Sequence, residues 1–199
     1  MLDTSTALGV RGMERINQLH RALAALNLGS GFAGLAIGST PIGLNVILMT
    51  VLLLILRAKF WFDDEAYFED VAAGKLPRGF SFAVGVIIAV GSWIVWTFAG
   101  FYIKDIEIAS LLMVGVFVLS TFWIVAAMVV RGAYAEQVPW LFFNVLYACG
   151  FFLLFMRQRP WNPFQDRLEG YTTSILVVLV LLFAIDLGVT RILEARRRV

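Results

Sequence analysis

Residues 172–190 read TTSILVVLVLLFAIDLGVT, with no charged or amide side chain from Ile175 to Ile185. A helix needs roughly 20 mainly apolar residues to cross a ~30 Å hydrocarbon core, whereas a barrel strand shows ~10-residue segments of alternating polarity. The run therefore predicts a membrane-spanning helix. Phe80 to Tyr102, Ile108 to Val130 and Val138 to Met156 have the same continuous character, and Pro41 to Ala58 follows Thr40, which reads as an N-cap before proline at the first helical position. The fold class this predicts is all-α, a polytopic transmembrane helix bundle. Composition agrees: the 199 residues are 60% hydrophobic and 15% charged, against about 25% charged in a soluble domain.

A sixth span is predicted at residues 21–38, which are short, glycine-rich and interrupted by Asn27, so a re-entrant or interfacial segment is the alternative. Basic residues decide between six spans and five, because short cytoplasmic loops are enriched in them. With six spans, Arg11, Arg15, Arg21, Arg57, Lys59, Lys75, Arg78, Arg131, Arg191 and Arg196 to Arg198 share one side, leaving Lys104, Arg157, Arg159 and Arg167 on the other. With five, the N-terminal three change sides and the bias nearly vanishes. Six is the favoured count, with both termini on the cytoplasmic side of an inner membrane. Residues 1–20 then form an amphipathic lead-in without a signal-peptide pattern, expected to be retained, 21–191 form the bundle, and 192–199 form a basic tail. Trp140, Trp161, Tyr102 and Tyr171 fall near span ends, where amphipathic rings prefer the headgroup level.

Several functions are disfavoured by residue type. Cys149 is the only cysteine and His20 the only histidine, and His20 precedes the first run. This rules out disulfides, CxxC redox chemistry and multi-histidine metal sites, and gives Cys149 the expected role of a buried, inert thiol. No cofactor and no nucleic acid is expected. With no histidine and no facing carboxylate pair expected at membrane depth, an enzyme is the least favoured class.

The candidate sites are few. Gly29, Gly31 and Gly34 spell GxGxxG, but no strand precedes them, so a dinucleotide turn is not expected. Gly34 and Gly38 make a GxxxG pair suited to close helix packing. The segment FWFDDEAYFED, residues 60–70, carries Asp63, Asp64, Glu65, Glu69 and Asp70 in the first long loop. It reads as a solvated surface helix, with partner docking or a hard cation as sharper alternatives, although the spacing fits no EF-hand.

Asp186 is the one acid well inside an apolar run. An ionisable group at that depth suggests ion or proton coupling, while Arg191, five residues on and ~7.5 Å along a helix, offers interfacial pairing. Thr190, Asn45, Asn144 and Tyr147 are the polar groups most suited to line a path with it. The functional expectation is a small transporter or permease component for a small solute or ion. The alternatives are an accessory or assembly subunit of a larger membrane complex and, after it, a membrane-embedded enzyme. The lipid bilayer is the expected surrounding, with a homo-oligomer or larger complex possible.

Overall fold

The computed structural model describes residues 4–38, 41–72, 80–131, 137–157 and 170–197. They form six helices and no strand: α1 Thr4–Ala36, α2 Leu44–Ala72, α3 Phe80–Phe101, α4 Ile106–Arg131, α5 Gln137–Met156 and α6 Thr172–Arg197. Five of them contain stretches long and apolar enough to cross a membrane: Leu44–Glu65, Ala83–Phe101, Ile106–Val125, Val138–Met156 and Thr172–Leu193. The chain is an all-helical, multi-pass membrane protein. The helices pack in a closed order in which α1 touches α3, α3 touches α4, α4 touches α5, α5 touches α6, α6 touches α2, and α2 returns to α1.

Helical spacing sets the core. Met49, Leu52 and Leu56 of α2, Met113 and Phe117 of α4, Tyr147, Phe151 and Leu154 of α5, and Leu176 and Leu179 of α6 recur every three or four residues and turn inward. Phe117 lies against both Tyr147 and Phe151, with ring centroids 5.0 and 5.8 Å apart. The opposite faces expose Phe122, Phe142, Phe152, Val178, Leu181 and Ile185. In water this would be an apolar patch of unusual extent, whereas against lipid tails it is the natural outer surface. Cys149 is on that outer side, in register with Val145 and Phe152, so it is exposed rather than buried.

The first helix differs from expectation. Instead of a surface lead-in followed by a short span, Thr4 to Ala36 is one helix of 33 residues. Its polar side chains His20, Asn27 and Ser30 are buried against the bundle, while Leu19, Leu26 and Phe32 point outward. That inverted pattern suits a helix whose outer side meets lipid. Those polar side chains leave it less apolar than the five, and they find partners inside: Asn27 Nδ2 donates to Trp93 O and to Thr97 Oγ1, both at 2.7 Å.

Backbone proximity locks α1 to α3. A Cβ on Gly34 would collide with the carbonyls of Gly100 and Phe101, and one on Gly100 with Ser30. Gly38, paired with Gly34 in the sequence reading, has a different part: nothing lies near its Cβ, and its φ of 76° is the left-handed conformation that closes a helix. Lys104, in the turn between α3 and α4, donates to the carbonyls of Ile37 at 2.9 Å and Gly38 at 3.1 Å, holding that end in place. The second helix also starts later than predicted, because the Gly43 carbonyl accepts from Val46 and Ile47 and serves as the N-cap. Thr40 lies outside the described residues.

Replacing Gly34 with alanine is expected to force α1 off α3 and cost about 1–3 kcal/mol, as overpacked sites do. Gly29→Ala, with nothing within 4 Å, is expected to be neutral or mildly stabilising. Thermal unfolding of the two variants in detergent checks the difference, and equal melting temperatures would contradict the close approach.

Candidate functional site

The acidic segment, read as a solvated surface helix, is the C-terminal continuation of α2, and Asp63, Asp64 and Glu65 are partly buried against neighbouring groups. Consecutive helical positions point about 100° apart, so neighbouring side chains cannot share one target. Lys59 donates to Asp63 Oδ2 one turn on, at 2.7 Å. Asp64 accepts from Trp93 Nε1 on α3 at 3.0 Å and lies 3.5 Å from His20 Nε2 on α1. Glu65 pairs with Arg21 on α1 at 3.1 Å, on the exposed rim. The three carboxylates face three separate sets of neighbours, and no metal-holding group of acids forms among the described residues. Glu69 and Asp70 continue the helix, but their side chains lie outside the described residues.

On the other flank of α2, Lys59 Nζ is also 3.5 Å from Asp186 Oδ2 on α6. The side chains of Lys59 and Asp186 are only 8% and 3% exposed. Tyr147 of α5 donates its hydroxyl to the same oxygen at 3.3 Å, and Thr190 reaches Asp186 Oδ1 at 3.5 Å from one turn further along α6. Helices α2, α5 and α6 thus meet at one carboxylate, with two acids, Asp63 and Asp186, sharing one ammonium. In a low-dielectric interior such sharing is strong, and it depends on every member staying in place.

Of the polar residues proposed from sequence to line a path, Asp186, Thr190 and Tyr147 come together. Asn45 does not. It sits at the other end of α2, fourteen residues before Lys59 or ~21 Å along the helix, where Thr173 donates to its Oδ1 at 2.6 Å. Asn144 is buried on α5, three residues before Tyr147. The base that reaches Asp186 is Lys59, which no short-range reading of α6 reveals. Two absences expected from sequence are also corrected: a carboxylate pair does face across helices at Lys59, and His20 is buried, its ring 4.6 Å from that of Trp93. The arginine-rich segment after Arg157 lies outside the described residues through Glu169.

Hydrophobic runs gave no sign that His20, Arg57 and Lys59 would be interior groups. One local signal does point that way. Lys59, Asp63 and Phe60 are spaced so that α2 continues past its apolar stretch, and 59 and 63 form an i,i+4 pair.

This arrangement defines a polytopic helical membrane protein with an ion-pair network inside the bundle at one end. Compared with protein families, curated proteins and solved structures, the chain gives no match.

Removing the charge of Asp64 tests how far the network is buried. Asp64→Asn leaves Arg57, 4.0 Å away and 2% exposed, without its compensating carboxylate and is expected to cost about 3 kcal/mol. Arg21→Gln, at the exposed pair, is expected to cost under about 1 kcal/mol. Denaturation of both variants in detergent provides the comparison.

Proposed function

We propose that the protein is a component of a membrane transport system for a small ion or solute, with Lys59, Asp63 and Asp186 as its coupling site. The observation that carries this reading is the sharing of the Lys59 ammonium by two carboxylates within the membrane-spanning stretches of α2 and α6. One base neutralises one acid. The second carboxylate is balanced only when it takes up a proton or a cation, and burial of charge in hydrocarbon makes that uptake energetically consequential.

The geometry supports a switch between two pairings. When Lys59 is held by Asp63 at 2.7 Å, Asp186 keeps the Tyr147 and Thr190 hydroxyls and is the carboxylate free to accept the charge. When Lys59 moves to Asp186, Asp63 becomes that carboxylate. Exchange of this kind joins charge uptake to a shift of α6 against α2, which is the type of bistable contact an alternating mechanism requires.

The test uses purified protein in proteoliposomes on a solid-supported membrane, with rapid steps in H⁺, Na⁺ or K⁺. The wild type is expected to give a transient charge displacement with at least one of the three, reduced about tenfold or more in Asp186→Asn. Currents that are absent, or equal in wild type and variant, would contradict the coupling role and favour the accessory-subunit reading.

A further inference from the structure

Arg57 lies on the opposite side of α2 from Lys59. Two positions along a helix turn the side chain by roughly 200°, whereas seven positions return it to the same side, which is why Arg57 and Asp64 share a flank. The Arg57 side chain is 2% exposed, and Nε, Nη1 and Nη2 all lack a hydrogen-bond partner among the described residues. Its paired carboxylate, Asp64 Oδ2, is 4.0 Å from Nη1 and is already engaged by Trp93 and His20. The Trp96 ring, its centroid 5.9 Å from the guanidinium carbon, offers a π-face but no in-plane acceptor.

Arg57 also borders a small cavity between α1, α2 and α3, lined further by Asn27, Thr50, Trp96 and Gly100. It has room for about one water molecule. On α2 the lining residues Thr50, Leu53 and Leu54 all precede Arg57. This is the direction in which helical side chains lean. A planar fork of N–H donors therefore meets a water-sized space with no acceptor within hydrogen-bond reach among the described residues.

We infer that Arg57 binds a small monovalent anion, for which chloride is the probe. An anion supplies both what the donors lack and the charge that the shared Asp64 only partly provides. Water is the competing occupant, since it would bridge Arg57 to the amide oxygen of Asn27, which also lacks a partner. Water adds no charge to the one that Asp64 shares with Trp93 and His20, however, whereas an anion does. The site is separated from the Lys59 pair by the body of α2, so it stands or falls independently of the transport reading.

Equilibrium binding of radiolabelled chloride to the full chain in detergent, with gluconate as the background anion, tests the proposal. The expected result is saturable binding of about one chloride per chain, displaced by bromide, weakened about tenfold or more in Arg57→Gln and unchanged in Arg21→Gln. Bromide is also expected to quench a saturable part of the tryptophan fluorescence, and that part disappears in Trp96→Phe. A folded wild type without saturable chloride binding would mean water only and would overturn the assignment. So would binding that survives Arg57→Gln, or quenching unchanged in Trp96→Phe. Should Arg57→Gln fail to fold, the Trp96 comparison decides.

Discussion

An ammonium in hydrocarbon is stable only when carboxylates hold it, and Lys59 is held by two, Asp63 on its own helix and Asp186 on α6. Insertion of one Lys, Arg or Asp costs about 3 kcal/mol at the centre of a spanning helix and less toward its ends, and pairing at this end of the bundle offsets part of that cost for each member. The consequences reach beyond the pair. Asp186 also accepts from Tyr147 of α5, and Tyr147 stacks on Phe117 of α4, so the ion pair and the aromatic core position one another. The contact of α2 with α6 closes the ring of helices.

The other flank of α2 repeats the same solution with different groups. Arg57 and Asp64 turn toward α1 and α3, where His20, Trp93 and Asn27 meet them. This is why α1 reads poorly as a spanning segment yet packs along the length of α3: His20, Asn27 and Ser30 face the interior beside Leu23 and Leu35, while Leu19, Leu26 and Phe32 face outward. The close backbone approach at Gly34 and Gly100 brings the two helices near enough for those short polar side chains to reach. Polar groups thus line both flanks of α2, and the transport reading uses the flank where Asp63 and Asp186 share Lys59.

Much of the architecture was legible in the sequence. The apolar runs located α3 to α6 to within a few residues at most ends, because an unbroken apolar stretch of membrane length rarely folds as anything but a spanning helix. What hydropathy could not show was the fate of charges beyond the runs. Charge clusters are usually solvated, so Asp63, Asp64 and Glu65 read as surface. Their true partners, His20, Arg21, Trp93 and Lys59, include groups 29 to 44 positions away, and such pairings follow from packing rather than from local pattern. Asp186 was conspicuous because it interrupts an apolar run. Lys59 was not, because it sits where a run appeared to have ended.

The central claim is that Lys59 and Asp186 are energetically joined across α2 and α6, and a double-mutant cycle measures this directly. Unfolding free energies in detergent for Lys59→Met, Asp186→Asn and the double variant are predicted to give a coupling of about 1–3 kcal/mol, as contacting charged residues do. Additivity within about 0.3–0.5 kcal/mol would contradict the account and return residues 59–65 to a solvated surface.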